Sequence, residues 1–309
     1  MNLNYNSLCT VFIVTYYSED KIRSCLDSIS NNFKIIIFDN SGQLNNKKKI
    51  ENSYPNVNYI VSKKNLGIPR AYSFGLNLIK TEYMFTTQPD VVLRKNCIDH
   101  LLDAALKYPT AGIVSPISYH NNRYILDGDH KALKIDKSNK KIIFDHKDMN
   151  KNIYEKVPEG DLCVEGVTGT AMLIKRSFLI KVGSWDKKIF SYWEDMDICA
   201  RIRINGYSVI KARKAELDHA AFSSHNLDLN SSVNYFRNWH YSWSSYYIRI
   251  KYKQYTSATL YLLRVGVLNF LKMFIYFIFF RKKYLTSQAK FYGLTASVLK
   301  RPSYFRIKN

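Results

Sequence analysis

Short apolar runs alternate with amphipathic segments through roughly the first two thirds of this chain. Cys9–Thr15 (CTVFIVT), Lys34–Asp39, Val57–Val61 and Tyr83–Thr87 are nearly continuous apolar stretches of strand length. Residues 19–29, 68–79 and 97–107 space their apolar positions as helices do. This alternation predicts an α/β domain in which helices cover both faces of a parallel sheet. Ligands of such sheets bind at the carboxyl ends of the strands, where the strand order switches. The polar residues at those ends are the first candidates: Thr15-Tyr16-Tyr17, Asp39-Asn40-Ser41-Gly42 and Gln88-Pro89-Asp90. Each is also ordinary turn chemistry, because Asx side chains bond their own backbone and glycine accepts positive φ.

From residue 226 the pattern changes. Residues 231–247 are rich in Tyr and Trp, and residues 258–280 are mostly apolar but interrupted by Arg264 and Lys272. A membrane-spanning helix rarely carries two charges in its middle. Being eight residues apart, these two can share one helical face. The segment therefore predicts an amphipathic helix lying in a bilayer interface, with a helical hairpin packed on the preceding domain as the alternative. The expected division is an α/β domain over 1–225 and a basic, aromatic and apolar helical region over 226–309. Charge sharpens that division: the net charge is +21, and residues 226–309 hold 14 Lys and Arg against one acid, Asp228. Such a bias implies an anionic partner, whether nucleic acid, a phosphorylated ligand or an acidic membrane face. Nucleic acid fits least, because the bases are interleaved with the apolar stretch and no DNA or RNA motif is present. Five scattered cysteines without a CxxC pair read as free thiols of a reducing compartment. No secretory signal opens the sequence, so the expected location is cytoplasmic, peripheral on the inner face of the cell membrane.

Candidate chemistry concentrates in Phe190-Ser191-Tyr192-Trp193-Glu194-Asp195-Met196-Asp197. Adjacent carboxylates among aromatics suit a general base shielded from water. An acidic helix start is the plainer reading, since carboxylates favour the positive end of the helix dipole. A second candidate is Asn65-Leu66-Gly67-Ile68-Pro69-Arg70-Ala71-Tyr72, where Asn65 can cap a helix, Gly67 permits close approach of a ligand and Arg70 supplies a charge for a diphosphate. It is neither a Walker loop nor a GxGxxG turn. His225 and His240 read as structural, and the Lys47-Lys48-Lys49 and Arg281-Lys282-Lys283 runs as solvated faces. Residues 120–159 read as an insertion over the site, in which Asp127-Gly128-Asp129 is turn chemistry.

Taken in order, VFIVTYY, IIIFDNSG, NLGIPRAYSFGL, TTQPDVVL, the long block over 167–207 and ELDHAAFSSHN resemble the inverting GT-A glycosyltransferases of family 2. The resemblance implies a Rossmann-like nucleotide-diphospho-sugar transferase domain with a membrane-associating helical region. By position, Asp39 would contact the nucleotide base in a pocket lined by Thr15 and Tyr17, with Asn65, Gly67 and Arg70 near the nucleotide or diphosphate. Asp90 matches the last acid of the family's metal-binding DxD, here Gln88-Pro89-Asp90, and His219 matches a late histidine near the metal. Mg²⁺ or Mn²⁺ would then be held by diphosphate and water oxygens plus one carboxylate. Asp195 would be the base that deprotonates the acceptor hydroxyl, and Glu194 would position the acceptor or tune Asp195. Tyr192 and Trp193 would offer acceptor-stacking surfaces, with simple packing as the alternative. The Gln-Pro-Asp variant and Tyr235-Phe236-Arg237-Asn238 look like rhamnosyltransferases of O-antigen or capsule assembly. The expected donor is thus dTDP-rhamnose, with a UDP-hexose as the alternative, and the acceptor a glycan or lipid-linked glycan. An inactive membrane-bound scaffold is the reading of another class.

Overall fold

The computed structural model describes residues 4–120, 123–125, 133–136, 141–144, 157–219, 230–278, 280–303 and 305. The Asp127-Gly128-Asp129 turn and His225 lie outside them. The chain divides into two compact units, one of residues 1–185 and 195–226, the other of residues 186–194 and 227–309.

The first unit carries strands β1 (Cys9–Thr15), β2 (Lys34–Asp39), β3 (Val57–Val61), β4 (Tyr83–Thr87), β5 (Val91–Leu93), β6 (Ala111–His120), β7 (Arg123–Ile125), β8 (Leu133–Asp136), β9 (Lys141–Phe144), β10 (Leu162–Val164), β11 (Ala171–Lys175) and β12 (Ser208–His219). One sheet runs β10-β12-β6-β11-β4-β1-β2-β3, with β5 on β12 and β7 on β6, and β8-β9 form a separate pair. β1 and β4 are buried nearly throughout, which is why they read as continuous apolar runs and not as alternation. Gly75 lets the Ile68–Leu78 helix press onto this layer: a Cβ there would meet the Phe12 ring at 2.3 Å.

The expected parallel sheet is found over β3-β2-β1-β4, and β12 also pairs parallel with β6. β11 enters antiparallel to both β4 and β6, so the sheet is mixed. Parallel neighbours need a crossover, and helices Glu19–Asp27, Lys47–Ser53 and Ile68–Leu78 supply it for the first four strands. Between β6 and β11 the described residues contain no helix, and the chain returns antiparallel. The strand order reverses at β1, flanked by β2 and β4, and register places Thr15 opposite Asp39 and Asp39 opposite Val61. Among the cysteines Cys9, Cys25, Cys97 and Cys199 are buried thiols outside any disulfide. Burial pushes the Cys25 and Cys97 thiols up to about 12, so they act as small apolar residues.

The second unit is helical, with Asn230–Lys251, Tyr255–Tyr261, a π turn Leu262–Val267, Leu268–Tyr276 and Arg281–Val298. The first and last of these approach closely because residue 293 is glycine; a Cβ there would lie 2.1 Å from the Trp239 carbonyl oxygen. The apolar stretch expected as one amphipathic helix is interrupted by the π turn, which contains Arg264. Asn269 stabilises the break by donating to the Val265 carbonyl at 2.7 Å. One side of the stretch packs within its own unit, through Gly266 near Leu294 and Phe270 against Phe291. The other side exposes Leu260, Leu263, Phe274, Ile275, Phe277 and Ile278, the last 73% exposed. By length and composition Tyr255–Tyr276 could also cross a membrane, with mean hydropathy 1.5.

Candidate active site

Thr15, Tyr17 and Asp39 line one pocket at the carboxyl ends of β1 and β2, together with Arg23, Lys49 and Tyr59. The buried Asp39 carboxylate accepts from the Ser41 amide at 2.7 Å and from the Tyr59 hydroxyl at 2.8 Å. The first bond is the expected Asx turn, so turn chemistry and a pocket-lining carboxylate coexist in one residue. Burial, then the neighbouring Asp39 charge, push the Tyr59 phenol well above its ordinary value and keep it a donor. Tyr17 has φ +51°, a left-handed conformation rare for a bulky side chain. Nor is the lysine run only a solvated face. Lys47 pairs with Glu51 at 2.9 Å and donates to the Tyr59 carbonyl, while Lys49 faces the pocket.

The 65–70 loop is tied to β2 by Asn40, whose side-chain oxygen accepts from the Leu66 amide at 3.0 Å. Asn65 does not cap the following helix. Its side chain closes a turn on the Gly67 amide at 3.0 Å, and Gly67 itself takes the cap position with φ +78°. Arg70 lies exposed in the first turn of that helix.

β5 pairs antiparallel with β12 and places His219 opposite Val91, beside Asp90. The Asp90 side chain is 1% exposed, and His219 Nε2 stands 3.8 Å from its Oδ2. Among the described residues neither Asp90 oxygen accepts a hydrogen bond, and His219 Nδ1 likewise has none. A buried carboxylate without donors is costly unless a cation meets it. These orphaned atoms fit a divalent cation through two protein ligands, the remaining positions falling to diphosphate and water oxygens. Among the described residues no three His, Cys, Asp or Glu side chains form a fuller set. Arg94 locks this corner: it grips Asp218 with two bonds of 2.8 Å, reaches Glu216 at 3.3 Å and lies over the Tyr119 ring at 3.9 Å.

Asp195 accepts from the Gly169 amide through Oδ2 and from the Met196 amide through Oδ1, both at 2.8 Å. Gly169 in turn offers its carbonyl to Gln88 at 3.5 Å, so the candidate base and the Gln-Pro-Asp triplet flank the same loop. Asp197 is separate. Fully buried, it pairs with Arg201 at 2.9 Å, and Arg201 also holds the Val182 carbonyl at 2.8 Å.

Tyr192, Trp193 and Glu194 belong to the second unit. Tyr192 and Trp193 have φ +69° and +71°, two bulky residues in succession in the left-handed region, at roughly 1–3 kcal/mol each. Of the two readings of Trp193, stacking surface and simple packing, its burial suits packing. It is 1% exposed, and its indole N–H donates to Ser245 at 2.9 Å. Tyr192 packs edge-on against Tyr241 at 5.7 Å, and Glu194, buried, opens the Glu194–Ile204 helix. His240 is structural: Nδ1 bonds Ser303 at 2.8 Å and Nε2 the Phe305 carbonyl at 2.9 Å. Sequence reasoning missed Asn40, Tyr59, Arg94, Gly169 and Asp218 as site-building residues. Asn40, Gly169 and Asp218 stand inside quoted motifs, whereas Tyr59 and Arg94 join the site only through sheet pairing.

A family model described as "Glycosyl transferase family 2" matches residues 10–183, more than half of the chain. The N-acetylglucosaminyl-diphospho-decaprenol L-rhamnosyltransferase of Mycobacterium tuberculosis is 23% identical over 235 residues, 69% of this chain and 76% of that protein. Rhamnosyltransferase WbbL of Escherichia coli K12 is 25% identical over 252 residues, 74% of this chain and 88% of that protein. Among solved structures, the mannosyltransferase PcManGT from Pyrobaculum calidifontis, in complex with GDP-Man and Mn²⁺, superposes with a TM-score of 0.56 at 14% identity. That likeness covers 96% of this chain and 88% of the mannosyltransferase, and supports the GT-A fold.

Proposed function

The chain belongs to glycosyltransferase family 2, and on that premise we propose that it is an inverting, metal-dependent enzyme transferring L-rhamnose from dTDP-rhamnose to a hydroxyl of a lipid-linked glycan. The rhamnosyl group is supported by the names of both curated relatives, and the lipid-linked acceptor by that of the Mycobacterium tuberculosis protein. Thr15, Tyr17 and Asp39 receive the nucleoside, with Tyr59 holding the Asp39 carboxylate in place. The Gly67 turn and Arg70 stand by the diphosphate. Asp90 and His219 would hold a Mg²⁺ or Mn²⁺ ion, which when bound supplies positive charge to the departing diphosphate. The Asp195 carboxylate takes the proton of the acceptor hydroxyl as its oxygen bonds to the anomeric carbon. The bond from that carbon to the diphosphate breaks, its electron pair leaves with dTDP, and the configuration inverts. The Gly169 and Met196 amides each donate to one oxygen of Asp195 and orient the carboxylate.

The observation that carries this reading is the buried Asp90 carboxylate, facing His219 without a hydrogen-bond donor. Calorimetric titration with UDP, dTDP and GDP, with and without Mn²⁺, tests it. Micromolar, Mn²⁺-dependent binding of dTDP that vanishes in Asp90→Ala is the expected result. Preference for UDP moves the donor to a UDP-hexose, and absence of binding under every condition overturns the nucleotide-sugar reading.

A further inference from the structure

The turn before Asp195 adopts a conformation that its own residues do not favour. Neither Tyr192 nor Trp193 is a glycine or an asparagine, yet both have positive φ, and such a pair persists only where surroundings over-determine it. The determining contacts come from one helix, Asn230–Lys251. Ser244 Oγ donates to the Ser191 carbonyl at 2.8 Å, and Ser245 Oγ accepts from the Trp193 indole at 2.9 Å. Both serines are at most 1% exposed, and Tyr241 from the same helix packs on both aromatic rings of the turn. Ser245 is itself held, because buried Arg249 donates to its carbonyl at 2.6 Å and to Ser257 Oγ at 3.1 Å. Ser244 and Ser245 thus carry buried hydroxyls that reach this turn, and Ser245 also bonds the Tyr261 side chain.

We propose that Ser244 and Ser245 are positioning residues, which hold the strained 191–194 turn and through it fix the chain entering the Glu194-Asp195 pair. The catalytic part of this inference rests on Asp195 being the base; the positioning part does not. A base displaced by about 1 Å costs on the order of a hundredfold in rate.

The test uses the full chain with Ser244→Ala, Ser245→Ala, their double variant and Trp193→Phe. Hydrogen exchange of the peptide spanning residues 191–196 should accelerate on the order of tenfold or more in the double variant, with the rest of the 230–251 helix unchanged. The turnover number for rhamnosyl transfer should fall on the order of a hundredfold, with the donor KM and the dTDP affinity held. Ser245→Ala combined with Trp193→Phe should cost less than the sum of the two alone, since both remove the bond they share. Unchanged exchange over 191–196, or faster exchange along the whole helix, overturns the positioning role. So does a fall in dTDP affinity parallel to the fall in turnover. If the unaltered protein transfers no sugar from any donor, the transferase reading fails alone, and hydrogen exchange still decides whether the serines hold the turn.

Discussion

Asp90 and Asp195 are held in opposite ways, and the difference separates their tasks. Asp195 has a backbone donor on each oxygen and so keeps one orientation. Asp90 has no donor on either oxygen among the described residues and faces an imidazole at 3.8 Å, an arrangement suited to a cation. Exchanging Asp195 for Asn keeps the shape but removes the proton acceptor. Asp195→Asn should lower turnover by about 10²–10⁴-fold while dTDP affinity measured by calorimetry stays the same. A loss of nucleotide affinity alongside turnover would instead make Asp195 a donor-site residue. The third acid of the cluster, Asp197, stands apart because Arg201 consumes it in a buried ion pair. A cluster that reads as one acidic feature in sequence is thus divided by what each carboxylate touches.

At the level of elements, helix 230–251 organises its unit through polar side chains on an otherwise aromatic surface. Asp186 accepts from the Lys251 ammonium at 2.7 Å, the Tyr247 hydroxyl at 2.8 Å and the Lys188 amide at 3.0 Å. Burial acts to raise the pKa of Asp186, but the Lys251 bond and charge, with the amide and hydroxyl, outweigh it and hold the carboxyl below its ordinary value. A depressed folded pKa gives stability that is present above the unfolded pKa and lost as pH falls through the folded one. The melting temperature of Asp186→Asn should therefore lie below that of the unaltered protein by a constant amount from about pH 5 to 7, and the gap should close below about pH 4. Scanning calorimetry across that range checks it, and a gap that persists at the acid end would assign the effect to packing. Elements also show where sequence periodicity is a good guide. Gly206, just past the Glu194–Ile204 helix, has φ +85°, the left-handed conformation a glycine takes where a helix ends. The 258–280 segment is a poorer case, because a π turn at 262–267 leaves no sign in a mostly apolar string.

For the whole molecule, the basic charge and the exposed apolar stretch lie in the same last quarter of the chain. Leu260, Leu263, Phe274, Ile275, Phe277 and Ile278 are more than half exposed, and Arg281, Lys282 and Lys283 follow directly. Such a face suits the interface of an anionic membrane, where an acceptor carried on lipid would be met. The full chain should sediment with vesicles containing anionic phosphatidylglycerol and bind less to neutral ones. Binding should weaken when Arg281, Lys282 and Lys283 become glutamine and when salt rises from about 0.05 to 0.5 M. Equal binding to neutral vesicles, unmoved by salt, would point to insertion of the Tyr255–Tyr276 segment instead. The sequence by itself determined the strands β1 to β4, the pocket residues at their carboxyl ends and the family, because strand-length apolar runs and turn residues act over a few neighbouring positions. Only the tertiary structure decided that β11 runs antiparallel, that His219 meets Asp90 across the β5–β12 pair, and that Arg94 clamps this corner. It also decided that Trp193 is packing and that two serines some fifty residues away hold its turn. These depend on sheet register and helix docking between distant segments, and no local run of residues encodes a distance across the fold.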